Sequence, residues 1–170
     1  MTQRRIRLHQ ITDWRAAIWA GLIAGALFLV LQMGILWALV GGSPWVLLRM
    51  IAAMIMGQGV LPPPPTFNAV IVIVALLVHF VLSILFALLL AFVLHRWGML
   101  VGIIGGALLG LALYAINYYT FTLFFPWFFP MRSWVTVLAH VVFGATAGGV
   151  YEAFEHEIFV AEEYTTEASS

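Results

Sequence analysis

The stretch NAVIVIVALLVHFVLSILFALLLAFVL, Asn68 to Leu94, contains no formally charged residue. At about 1.5 Å of rise per residue such a run, coiled as a helix, is long enough to cross a hydrocarbon core about 30 Å thick. Lipid offers no partner for a backbone N–H or C=O, so a helix, which satisfies those groups internally, is the expected form. Three more stretches read the same way, giving expected spans at 14–40, 68–94, 98–123 and 133–153. The whole chain agrees. Of its 170 residues 64% are hydrophobic and 8% charged, against about a quarter charged in a soluble domain. Between Asp13 and Glu152 the formal charges are Arg15, Arg49, Arg96 and Arg132. The fold class is therefore all-α: a polytopic membrane protein built as a four-transmembrane-helix bundle, one domain over residues 1–160.

Composition also excludes chemistry. There is no cysteine, which removes disulfides, thiolate nucleophiles, iron–sulfur clusters and cysteine-based zinc sites. No basic tract with interleaved aromatics is present, so nucleic acid is not expected as a partner. The expected partners are the lipid bilayer and, beyond it, other membrane subunits or further copies of the same chain.

Between the first two spans lies SPWVLLRMIAAMIMGQGVLPPPP, Ser43 to Pro65. It is too short to cross, yet apolar apart from Arg49. Pro44 suits a helix start, and Gly57 and Gly59 suit its end. This predicts an interfacial or re-entrant helix over 44–57, with Pro62–Pro65 as a stiff return. Arg49 would then reach either lipid headgroups or inward, over Gln32, Asn117 and His140.

Orientation follows the excess of arginine on the cytoplasmic side. Arg4, Arg5, Arg7, Arg15 and Arg96 lie on one side, and Arg49 and Arg132 on the other. Both termini are expected in the cytoplasm. FFPWFFPMRSW, Phe124 to Trp134, reads as an aromatic belt at the opposite interface. Small residues recur every four positions: Ala17, Gly21 and Gly25; Ser83, Ala87 and Ala91; Gly102, Gly106 and Gly110; Gly144 and Gly148. Such stripes let helix backbones approach closely.

Two of these stripes, extended by one turn, meet His79 and His140. An ionisable residue inside a membrane is a candidate functional residue because its burial is costly. Counted from the outer ends of their spans, His79 lies roughly 16 Å deep, Gln32 roughly 12 Å, His140 roughly 10 Å and Asn117 roughly 9 Å. All are in the outer half or at the midplane. The candidate pocket is Arg49, His79, Asn117 and His140.

The segments WVLLRMIAAMIMGQGVLPPPPTF, HFVLS, NYYTFTLFFPWF and RSWVTVLAHVVFG together resemble a family of small four-span bacterial membrane proteins, some of which carry a sodium–solute symporter label. The resemblance covers about residues 14–155. It implies four spans in a bacterial inner membrane and an outer loop helix, and it supplies no catalytic residues.

The favoured reading is a non-enzymatic bundle, an accessory, scaffold or lipid-binding protein with a small pocket open to the outer leaflet, needing no cofactor. A redox subunit is the alternative, with haem held by His79 and His140, or with quinone. Two axial ligands need nearly one level, and these histidines differ by roughly 6 Å. A transporter or channel component ranks third, since no span carries an acid in its middle and the two halves show no repeat. At the C-terminus Glu152, Glu155 and His156 form E-x-x-E-H. It is read as a solvated helix end and not a metal site, since one helix supplies too few ligands. The acidic tail 161–170 is expected to be disordered.

Overall fold

A computed structural model describes residues 2–40, 43–95, 97–156 and 158–167. Arg96, used above for orientation, and the tail end 168–170 lie outside the described residues. In chain order the elements are β1 (Thr2–Ile11), α1 (Trp14–Val40), α2 (Trp45–Met56), α3 (Ala69–Leu94), α4 (Gly98–Ala115), α5 (Trp134–Phe154) and β2 (Ile158–Glu167). Four stretches are long and apolar enough to cross a membrane: Trp14–Ile35, Ala69–Leu94, Gly98–Leu123 and Trp134–Phe154. The expected all-α bundle is what forms.

Each span starts where a polar side chain or a glycine permits it. The Asp13 carboxylate accepts from the N–H groups of Arg15 (3.0 Å) and Ala16 (3.1 Å) at the head of α1. Asn68 accepts from Ile71 N–H (3.2 Å) and Ser133 from Thr136 N–H (3.3 Å), capping α3 and α5. Gly57, which ends α2, and Gly98, which opens α4, hold φ of 81° and 76°, a region that side chains disfavour.

The helices pair through the small-residue stripes. Gly21 and Gly25 of α1 lie against Ser83 and Ala87 of α3, and a methyl added at Gly21 would sit 2.7 Å from Ile84 Cα. Gly102, Gly106 and Gly110 of α4 face Gly144 and Gly148 of α5, backbone against backbone. Apolar side chains gain little from leaving lipid for each other, so close van der Waals contact of this kind holds the pairs. α1 and α5 join the two pairs, with Ala16, Ala17 and Ala20 around the fully buried Tyr151. Three edges of the four-helix square are closed. The fourth, between α3 and α4, has few contacts.

α2 caps one end of the bundle. Its Leu47, Leu48, Ile51 and Ala52 pack on Leu29, Ile71, Ala75 and Tyr114, level with the first two turns of α3. Arg49 neither reaches outward as a free cation nor turns inward. It donates from Nη1 to Val60 O (2.8 Å), and from Nη2 (3.0 Å) and Nε (3.3 Å) to Thr66 O. It ties the proline-rich return to the helix.

One expectation is refined and one corrected. The third span keeps its expected bounds, Gly98–Leu123, but is not one regular helix. After Ala115 it passes through a π turn, Ile116–Thr120, and a 3-10 turn, Phe121–Leu123. Here the Thr122 hydroxyl donates back to Tyr118 O (2.9 Å), a side-chain bond that competes with the regular ladder. The acidic tail is also not free chain. β2 pairs antiparallel with β1, Thr2 opposite Glu167 and Arg7 opposite Glu162. The register sets an arginine-rich strand against an acidic one, and Ile158, Phe159, Val160, Tyr164 and Thr165 suit a strand. The helical bundle thus carries a two-stranded ribbon on its terminal side.

Candidate functional site

α3 and α4 stay close near their short connection, where Leu94 lies against Gly105. Away from it they part, leaving a cavity of about 360 Å³. Leu47, Ile51 and Met54 of α2 close its top. Phe28 of α1 and His140 and Phe143 of α5 form its back wall, with His79, Ser83 and Phe86 on one side and Leu113, Asn117 and Tyr118 on the other. Leu85 and Leu89 at the rim are 56% and 58% exposed. The cavity therefore opens sideways, at the depth where a bilayer would lie.

Three of the four candidate residues, His79, Asn117 and His140, line this cleft; Arg49 does not. The helix row decides the difference. Arg49 sits on the face of α2 that meets the 57–67 return, whereas Leu47 and Ile51 sit over the cleft. Gln32 is fully buried beside it and donates from Nε2 to Thr136 Oγ1 (2.9 Å). Arg132, in the loop before α5, donates to Thr122 Oγ1 (2.9 Å), with its guanidinium 4.1 Å from the Phe129 ring and 4.7 Å from the Tyr119 ring. It does not line the cleft either.

The histidines have defined partners. His140 is 2.8 Å from Thr136 O through Nδ1. A carbonyl can only accept, so in the neutral ring Nδ1 carries the proton and Nε2 accepts from Asn117 Nδ2 (3.3 Å). His79 reaches Gly25 O at 2.9 Å through Nε2. By the same reasoning that nitrogen donates, and Nδ1 is left as the acceptor. Ser83 Oγ stands 3.4 Å from His79 Nε2. Phe28 packs against both imidazoles, stacked on His79 (5.7 Å between centroids) and edge-on to His140 (4.9 Å).

This geometry does not fit a haem shared by His79 and His140. Both Nε2 atoms are engaged by protein partners, and Phe28 fills the space against both rings. Nor does the C-terminal E-x-x-E-H form a ligand set: α5 stops at Phe154, so Glu152 and His156 no longer share a helix face. Among the described residues no group of three or more histidines and carboxylates could hold a metal ion. His156 instead donates its N–H to Asp13 Oδ2 (3.2 Å), and its ring lies 3.6 Å from the same oxygen.

Sequence reasoning missed Phe28 and Tyr118. Phe28 was legible in part, since it follows Gly25 by three residues and precedes Gln32 by four, on one helix face. Tyr118 was not, because its inward direction depends on the π turn. Trp127 was missed as well: its indole N–H donates to Met50 O (2.9 Å) and fastens the aromatic loop to α2.

No protein-family model, no curated protein and no solved structure matches this chain.

Proposed function

We propose that this is a non-enzymatic multi-pass membrane protein that holds one chain of a lipid-like molecule in the cleft between α3 and α4. One observation carries the reading. The cavity is apolar over most of its wall, opens sideways, and carries two polar pairs, His79 with Ser83 and Asn117 with His140, with Phe28 packed against both imidazoles. Sites for small apolar ligands have this composition, with sparse polar groups that orient the ligand. The arginine bias of the sequence supports both termini on the cytoplasmic side. The cleft then faces the outer leaflet.

Native mass spectrometry of the protein released from mild detergent tests this. One bound amphiphile per chain is expected to survive, and to be lost in Leu82→Trp, a substitution at the exposed rim that fills the mouth. A bulk mixture of lipids that is the same in both proteins would overturn the proposal.

A further inference from the structure

We infer that the molecule held in the cleft has an uncharged, flat head with oxygen atoms at opposite ends, as in an isoprenoid quinone or its quinol. This rests on the cleft being a lipid-chain site and names the head that the site selects.

Charge is the first argument. Among the described residues no arginine or carboxylate lines the cavity. Arg49 is spent on the carbonyls of Val60 and Thr66, and Arg132 sits with Thr122, Tyr119 and Phe129. A phosphate drawn into this apolar space would be a buried charge without a partner, which is strongly disfavoured.

Hydrogen-bonding capacity is the second. Asn117 spends one amide N–H on His140 Nε2 and retains another. His79, with Nε2 donating to Gly25, has Nδ1 free to accept from a hydroxyl. The cleft thus offers a donor in the π turn that follows α4 and an acceptor on α3. A hydroquinone can donate to His79 with one oxygen and accept from Asn117 with the other. The quinone form keeps the Asn117 bond.

Shape is the third. Phe28, Phe86, Phe125, Phe128 and Phe143 supply aromatic surface around the polar groups, which suits stacking on a flat ring. The rim leucines of α3 offer an apolar track for the tail. The π turn is the device that makes this possible: it sets Asn117 within reach of His140 at the cleft wall, and such turns recur at functional sites.

The test uses the protein in detergent and four probes with the same ten-carbon tail: a benzoquinone, its quinol, a phosphate monoester and a bromoalkane with no head. Quinone and bromoalkane binding are read by quenching of intrinsic fluorescence; the quinol and the phosphate are read by their displacement of the bromoalkane. The quinone is expected to bind saturably, one per chain, at least tenfold tighter than the phosphate. Asn117→Asp, which removes the donor with little change of shape, and His79→Leu are expected to weaken the quinone and the quinol respectively by about tenfold, with bromoalkane quenching unchanged. If the bromoalkane does not bind the unaltered protein, the chain site itself fails. If it binds but the phosphate competes equally with the quinone, the head assignment fails and the chain site stands. Should a variant lose bromoalkane binding, the ranking of the three heads on the unaltered protein decides.

Discussion

The terminal-side half of the bundle and the half beneath α2 are made from the same four helices, yet they are built differently. On the terminal side, glycines and alanines let α4 press on α5 and α1 on α3 until backbone meets backbone, and Tyr151 fills what remains. Beneath α2 the facing residues are phenylalanines, histidines and an asparagine, and α3 and α4 separate around a cavity. Small residues bring helices together over one half, and large ones hold them apart over the other. The close-packed half holds the angle at which the other half opens.

Adding volume is the sharpest probe of that contrast. Gly144→Leu forces a side chain into the backbone of Gly106 and Gly110, and is expected to cost at least about 3 kcal/mol, the upper part of the range for overpacked cores. Thermal unfolding in detergent should show a melting temperature lowered by many degrees, or no folded protein. Leu82→Trp adds more volume at the cleft rim and should leave the melting temperature within a few degrees. Equal losses in both variants would mean that the two halves are packed alike.

The next effect belongs to the cap over the cleft. Arg49→Ala removes three hydrogen bonds to Val60 O and Thr66 O. Bonds from a charged donor contribute about 1.5–3 kcal/mol, and partial exposure of this group puts the expected loss near the lower figure. Limited proteolysis should then cut within residues 57–67 while the helical circular dichroism is unchanged. Lysine should not restore protection, because it lacks the planar fork that spans two carbonyls.

On the terminal side, Asp13 links the start of α1 to the chain after α5. Burial acts to raise its pKa, but N–H bonds from Ala16, His156 and Arg15 outweigh it and hold the carboxyl below its ordinary value. A lowered folded value means that the charged form stabilises the fold. That contribution is complete above the unfolded pKa of about 4 and disappears as pH falls through the lower folded value. Asp13→Ala should cost about 1 kcal/mol at neutral pH, as loss of a helix cap does. It should also flatten the fall in melting temperature below about pH 4. An unchanged acid limb in the variant would assign the acid sensitivity to other carboxylates.

The smallest effect is expected where the histidine meets the membrane interior. His79→Leu removes a bond to Gly25 O, and intramembrane bonds of this kind contribute about 0.6 kcal/mol. A much larger loss by reversible unfolding would make His79 a structural fastener and weaken its role as a ligand acceptor.

The spans, their ends and the pairing stripes were legible in the chain because each is a local property. A run of apolar residues longer than the bilayer, a capping Asn68 or Ser133, and glycines every fourth residue need no knowledge of neighbours. The terminal ribbon was only half legible: the basic and acidic segments were plain, but their pairing joins residues at opposite ends of the chain. The candidate pocket divided in the same way. His79 and His140 extend small-residue stripes and so had to face inward. Arg49 depended on where the 57–67 return ran, and it proved to hold that loop.

Hydrophobicity and helical period, read along the chain, determined that four helices cross the membrane and which faces they bury. Which edge of the bundle stays open was left to the packing of large side chains across helices, and the inward turn of Asn117 to a π turn that no residue pattern announces. Both are sums over contacts between distant segments, and a linear sequence does not order such contacts.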